Sequence, residues 1–559
     1  MSIFTDNIFT QDPLASVMEE KTVQLKEGER RTVAILFADI KGFTEMSEKL
    51  DPEIVQTTID KIMRVFTQNI ENYGGYVDKY SGDEIMALFG AKVTSEVDTE
   101  RAIRAGLQML NNLKGYNHYL KKDKKYGSSI KPLAIRIGIN TGLVTTGKIG
   151  KGREGDFTVY GDAVNLASRL ESSAPIDGIL VPETIQQMLP DQFKYEDGGK
   201  IKVKGKSVPV SVFTVKQIKK VSSEFQTKYT TPFIGRDADL KFLLSAYKSA
   251  TRHVGSESCS TSMIGIKAEA GLGKTRLINE FIKDALPRGI NPNYVIIGRA
   301  TNLTRQPYYI FITLLRSVFQ ISEIDGLGAG KTRLNKTYKE LKICLNSSEQ
   351  KQLAKTKAVI EFLLGISTKD VRLQTTGKEL QTHIHIALFH FLQLITLRCN
   401  QTGLPLLIIL EDLHWIDDPS LIALQFLIQE FSGLDNKKGL TNFFLFDYRD
   451  TFAFPKEMNL EKNFHQLTLP PLSDDHTREM ISQAFHLDVL PEYELKNIMK
   501  ISGGNPFYIE EWIAYINNKQ QETGLSVAEI VKKYPVPTSL NALILSRVDL
   551  LDENSKRVL

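Results

Sequence analysis

Between residues 32 and 142 the apolar pattern switches between strand and helix periods in an order that leaves few folds open. "TVAILFADI" is a continuous apolar run of strand length. "DPEIVQTTIDKIMRVFTQNIENYGG" opens on Asp-Pro and closes on two glycines, the start and stop signals of a helix. In "GGYVDKYSGDEIMALFG" two apolar runs flank a Ser-Gly-Asp turn, which predicts a hairpin. An amphipathic helix follows with Ile103, Leu107 and Leu110 on one face, and "LAIRIGINTG" reads as another strand. Strand, helix, hairpin, helix, strand is the order of a ferredoxin-like α+β domain. The hairpin carries Lys79 on one arm and Asp83 four residues on. For an isolated turn, a surface ion pair is the simplest account.

A chain of 559 residues is too long for one core and predicts about three or four domains. Residues 1–30 read as a polar leader and 31–216 as the α+β domain. The aperiodic, charged stretch 217–231, within "QIKKVSSEFQTKYTTP", reads as a linker. Beyond it, "SMIGIKAEAGLGKTRLINEFIKDAL" is strand, glycine loop, helix, and "LPLLIILEDLHWIDDPS" is a buried strand ending in acids. These place an α/β domain over 232–455 and a helical region over 456–535. Residues 536–559 begin an amphipathic helix without a cap, read as the start of a further helical or winged-helix domain of a longer protein.

Charge excludes one class of partner. The 70 basic and 66 acidic residues leave a formal charge of +4, so no global field argues for nucleic acid. The basic stretch "KKDKKYG" reads as a solvated loop. Three widely spaced cysteines, Cys259, Cys344 and Cys399, fit a reducing compartment. The N-terminus lacks the pattern of a signal peptide, and the longest aliphatic run, "LPLLIIL", is too short to span a bilayer. The expectation is a cytoplasmic protein without membrane attachment.

Asp39 ends an apolar strand just before a Gly42 turn, and Asp83 lies at another strand end. Each could be a turn acid. Two carboxylates converging from separate strands also suit a pair of hard divalent cations that clamp a polyphosphate.

Here the motifs become informative together. "FADIKGFT", "DKYSGDEIMALFG", "RIGINTGLVTTGKIG" and "DFTVYGDAVNLASRL" resemble the class III nucleotidyl cyclase domain, in order, over about residues 30–216. The resemblance implies that Asp39, Asp83 and the Ile40 carbonyl hold two Mg²⁺ or Mn²⁺ ions. It implies that Gly42, Phe43 and Thr44 present backbone N–H groups to the phosphates. Asn165 would orient the ribose, and Arg169 would stabilise charge on the α-phosphate. Lys204, or Lys206 in its place, would bind the β- and γ-phosphates. Lys79 and Thr158 would read the base: lysine donates to adenine N1, whereas guanine N1–H needs an acceptor. Threonine stands where many adenylyl cyclases have aspartate, and Lys with Thr resembles the subgroup that includes soluble, bicarbonate-responsive adenylyl cyclases.

"AEAGLGKT" fits the P-loop pattern except that Ala268 replaces the first glycine. Gly271, Gly273, Lys274 and Thr275 would cradle phosphates and Mg²⁺, with Glu411 and Asp412 as the acidic pair for metal and water. With "PFIGRDADL", Arg449 in "FDYRD" and "GGNPFYIEEW", residues 230–559 resemble the signal-transduction ATPases with numerous domains. A near copy, "GLGAGKTRL", follows no apolar strand and reads as an ordinary loop and helix start. His383, His385 and His390 share a predicted helix at spacings that do not make a zinc site.

The two resemblances imply an adenylyl cyclase that forms 3′,5′-cyclic AMP from ATP as a homodimer, followed by an ATP-binding switch domain that could engage a protein partner. Two rivals are a signalling ATPase or scaffold with an inactive cyclase domain, and a guanylyl cyclase. Intact Asp39, Asp83, Asn165 and Arg169 speak against the first, and Lys79 against the second.

Overall fold

The computed structural model describes residues 30–42, 51–91, 93–121, 132–149, 156–203, 209–219, 231–256, 261–285, 295–322, 327–366, 377–438, 440–458, 463–485 and 492–534. They fall into two compact units. One takes in the described residues of Met1–Lys219, Thr301–Phe391 and Asp417–Ala423; the other takes in those of Lys220–Ala300, Leu392–Ile416 and Leu424–Leu559.

The first unit is built on strands β1 (Arg30–Lys41), β2 (Tyr76–Ser81), β3 (Glu84–Phe89), β4 (Ala134–Ile149), β5 (Asp156–Tyr160), β6 (Gly178–Pro182), β7 (Phe193–Ile201) and β8 (Val210–Ile218). Their order is β2-β3-β1-β4-β6-β8-β7, with β5 paired to β4. The first four strands, with the helices Pro52–Asn72 and Asp98–Lys121 between them, form the expected ferredoxin-like core. The Asp51 carboxylate caps the first helix by accepting from the Glu53 N–H, as the Asp-Pro start predicts. β1 reads as unbroken apolar because both its faces are covered. Ala34, Leu36, Ala38 and Ile40 join the core under those two helices, while Val33, Ile35 and Phe37 pack on the opposite side with Val144, Val159 and Ala167.

The second unit holds a parallel sheet of β9 (Ser262–Lys267), β10 (Val295–Arg299), β11 (Leu406–Glu411), β12 (Asn442–Tyr448) and β13 (Phe464–Thr468), ordered β10-β11-β12-β9-β13. Its central strands are buried throughout, hence their uninterrupted apolar sequences. The helices Asp474–Phe485, Glu492–Ser502, Pro506–Thr523 and Val527–Lys533 make a separate core around Trp512; the stretch read as helical from 456 onward opens instead with β13, which pairs with β9 of the parallel sheet.

One helix, Lys378–Asn400, is the only one among the described residues long and apolar enough to cross a membrane by length and composition, and 67% of its apolar window is buried inside the protein. Counting aliphatic runs misses it, because Thr, His and Gln interrupt the run.

Candidate catalytic and nucleotide-binding sites

The end of β1 and the β2–β3 turn are one local structure. Asp39 pairs in register with Glu84, and the Ile40 N–H donates to the Asp83 carbonyl at 3.2 Å. The turn depends on Gly82, whose φ of 66° lies in the left-handed region. Burial and then the nearby Asp39 charge raise the pKa of the Asp83 carboxyl, and the same two causes raise that of Glu84. Lys41 forms an ion pair with Asp39. Oxygen donors under mutual repulsion, with one ammonium against them, fit hard divalent cations. Among the described residues no cluster of three or more His, Cys, Asp or Glu could hold a metal. A cation here would therefore complete its shell with backbone carbonyl, phosphate or water oxygens.

Lys79 and Asp83 do not make the ion pair that their spacing allows. Lys79 stands on β2 opposite Met86 and is exposed, while Asp83 lies in the turn. Thr158, buried on β5, donates its hydroxyl proton to Asp78 Oδ2 at 2.7 Å. Asp78 is a residue that sequence reasoning passed over. Its one signal was its place beside Lys79.

Asn165 is exposed and Arg169 half-buried on the helix Asp162–Ser173, one turn apart. That helix rests directly on Gly138 of β4, where an added Cβ would lie 2.1 Å from the Glu171 amide nitrogen and 2.4 Å from the Ala167 carbonyl. Among the described residues no hydrogen bond or ion pair joins Asn165 or Arg169 to Asp39 or Asp83. Gly42 has φ 91°, the left-handed turn expected after β1. Phe43, Thr44, Lys204 and Lys206 lie outside the described residues.

In the second unit β9 leads through a glycine loop into the helix Lys274–Ala285, with Gly271 and Gly273 at φ 79° and 89°. Ala268 keeps out of the left-handed region, so its position does not demand glycine. The buried Lys274 ammonium donates to the carbonyls of Ala268 (2.8 Å) and Glu269 (3.0 Å). Burial lowers its pKa, against the pull of Asp447. Thr275 is exposed at the helix start. Glu411 ends β11 buried, and Arg299 Nε donates to its Oε2 at 2.9 Å. The Asp412 N–H donates to Asp447 Oδ1 at 3.2 Å. Burial, then the charges of Glu411 and Asp412, push the Asp447 pKa well up. Arg449 lies over the Trp415 ring, 5.9 Å from its centroid. Asn505 of "GGNPFY" donates to the Ala270 carbonyl at 3.1 Å, and the Phe507 N–H donates to the Gly271 carbonyl at 3.3 Å, so this motif closes on the loop. Asp447 and Arg299 were not expected. Each ends a strand of the same parallel sheet, and only the sheet order brings them to Glu411 and Asp412.

The near copy of the loop is different. The helix Leu327–Ile343 already includes Lys331, which is exposed, and the preceding described element is the helix Tyr309–Phe319, not a strand. His385 is buried beside the Tyr308 hydroxyl, and burial lowers its pKa to about 4.

The first unit thus carries two acids at one strand end of an α+β sheet, and the second a glycine loop between a strand of a parallel sheet and a helix. Residues 25–217 match the adenylate and guanylate cyclase catalytic domain family, and residues 232–436 match the AAA ATPase domain family. The chain carries an adenylate and guanylate cyclase catalytic domain followed by an AAA ATPase domain. An adenylate cyclase of Anabaena cylindrica is 34% identical over 35% of this chain and 39% of its own length. One from Mycobacterium tuberculosis is 33% identical over 33% and 41%. The chain thus spans about two fifths of these curated relatives. An uncharacterised Rhizobium meliloti protein is 24% identical over 90% of this chain and 46% of its own length. Among solved structures, the adenylyl cyclase CyaB of P. aeruginosa is 34% identical, covering 35% of this chain and 98% of its own, with a TM-score of 0.33.

Proposed function

We propose that this protein is an adenylyl cyclase that forms 3′,5′-cyclic AMP and pyrophosphate from ATP. The observation that carries the reading is the joining of Asp39 and Asp83 at one strand end through the Ile40–Asp83 backbone bond, with Lys79 on β2 and Thr158 on β5, two strands linked by the Thr158–Asp78 hydrogen bond. Divalent cations held by Asp39, Asp83 and the Ile40 carbonyl would supply Lewis acidity toward the 3′-hydroxyl and the triphosphate. The 3′-oxygen attacks the α-phosphorus, its proton leaves, and the bond to pyrophosphate breaks. Arg169 offsets charge on the α-phosphate as that bond breaks, and Asn165 orients the ribose. The Gly42–Phe43–Thr44 turn and Lys204, or Lys206, hold the phosphates. Lys79 donates to adenine N1 and Thr158 accepts from the 6-amino group, a pairing that opposes guanine.

The protein is read as a homodimer whose sites each draw on both copies, Asp39 and Asp83 from one and Lys79, Thr158, Asn165 and Arg169 from the other. Lys79 and Asp83 then serve different sites, which accounts for one hairpin bearing both. The second domain is read as an ATP-binding switch in which Gly271, Gly273, Lys274 and Thr275 hold phosphate and Mg²⁺ beside Glu411, Asp412 and Arg449. A cytoplasmic location fits both nucleotide sites. Purified protein with Mn²⁺ and either ATP or GTP tests the reading, with cyclic nucleotide as the product measured. Cyclic AMP from ATP is expected; cyclic GMP in preference, or no cyclic product, overturns it.

A further inference from the structure

Residue type leaves the role of Thr158 open. A threonine hydroxyl has one proton and two lone pairs, so it can donate to a 6-oxo purine or accept from a 6-amino purine. The surroundings of Thr158 remove that choice. The residue is 8% exposed, and its hydroxyl donates to Asp78 Oδ2 at 2.7 Å. An ionised carboxylate only accepts, so the Thr158 proton is committed to Asp78 and the lone pairs of Oγ1 are left for a ligand. Asp78 reaches this position through a local irregularity. The β2–β3 register shifts between Val77 and Lys79, which leaves Asp78 as the extra residue of a bulge, a device that re-aims a side chain. The contact joins residues 80 positions apart.

We propose that Asp78 is a specificity-determining positioning residue: by taking the Thr158 proton it fixes Thr158 Oγ1 as an acceptor and so selects a 6-amino purine over a 6-oxo purine. This rests on the reading of Lys79 and Thr158 as the base-contacting pair. Lys79 offers a donor and the polarised Thr158 an acceptor, which matches the acceptor N1 and donor amine of adenine. Guanine, with a donor N1–H and an acceptor O6, meets both groups with the wrong polarity. Without Asp78 the hydroxyl can rotate and donate to O6.

The test compares kcat/KM for ATP and GTP, with Mn²⁺, in the wild type, Asp78→Ala, Asp78→Asn, Thr158→Val and the Asp78→Ala/Thr158→Val double variant. Asp78→Ala should lower the ATP-to-GTP ratio roughly tenfold, the scale of one hydrogen bond to a committed partner. Asp78→Asn, whose amide both donates and accepts, should give a smaller fall in the same direction. The double variant should match Thr158→Val, because Asp78 acts through the hydroxyl that valine lacks. Dissociation constants for 3′-deoxy-ATP and 3′-deoxy-GTP, which lack the attacking hydroxyl, read the same ratio where turnover is lost. A purely structural role would weaken both nucleotides equally; such a parallel loss, or an unmoved ratio, overturns the proposal. A wild type that forms no cyclic AMP refutes the function itself, whereas an ATP-selective wild type with an unmoved ratio in both Asp78 variants refutes this inference alone.

Discussion

Gly138→Ala should separate the position of the helix Asp162–Ser173 from the chemistry of its side chains. Gly138 lies in β4 between Phe37 of β1 and Leu180 of β6, and its φ is not in the left-handed region. Alanine therefore brings no backbone strain, only a methyl group. That methyl would sit 2.1 Å from the Glu171 amide nitrogen, about 1.3 Å short of the 3.4 Å at which ordinary contact begins. The obstructing atoms are helix backbone, so no side chain can swing away, and the helix must lift by about an ångström. Such overpacking costs about 1–3 kcal/mol of stability. Asn165 and Arg169 ride on this helix, and a misplacement of about 1 Å at a reacting centre can cost roughly 100-fold in rate. The assay is kcat for cyclic AMP formation at saturating ATP and Mn²⁺, paired with thermal unfolding of the same preparation. The expected protein is folded, melts lower and is slower by about two orders of magnitude. Full kcat with an unchanged melting temperature would refute the contact. Full kcat in a clearly destabilised protein would refute the link between helix position and catalysis.

Three further outcomes are expected. Asp39→Ala and Asn165→Ala proteins should each be nearly inactive alone, yet regain roughly a quarter of wild-type activity when mixed and allowed to exchange, because each mixed dimer has one intact site; exchange without recovery refutes the shared site. In an Asp39→Ala background, Lys274→Ala should weaken binding of a fluorescent ATP analogue by roughly tenfold or more, the scale of a hydrogen bond to a charged group, while Lys331→Ala leaves it unchanged; equal losses refute the choice of loop. Burial lowers the His385 pKa to about 4 from 6.5, so the folded protein binds fewer protons there than the unfolded chain. The stability this contributes is present above pH 6.5 and lost as pH falls toward 4. His385→Gln should therefore flatten the acid-side decline of the melting temperature in that window, and parallel slopes in both proteins refute it.

Periodicity and turn residues determined a good deal by themselves. A run apolar on both faces announced β1, Asp-Pro announced the first helix, and Ser-Gly-Asp announced the hairpin, because each reports on burial or backbone dihedrals within a few residues. From those elements in order the ferredoxin-like core followed, and Asp39 and Asp83 were legible as strand-end acids. That an apolar strand leads into "AEAGLGKT" was legible too, whereas the described element before "GLGAGKTRL" is a helix. What tertiary structure decided was every relation that depends on register. A one-residue bulge sends Asp78 to Thr158, 80 positions away, and no local pattern marks a bulge. Sheet order sets Asp447 and Arg299 beside Glu411 and Asp412, although three separate strands carry them. Close approach of a helix makes Gly138 indispensable where its own dihedrals do not. Local sequence encodes which elements form; side-chain polarity at the sites comes from long-range pairing, which only the packed chain specifies.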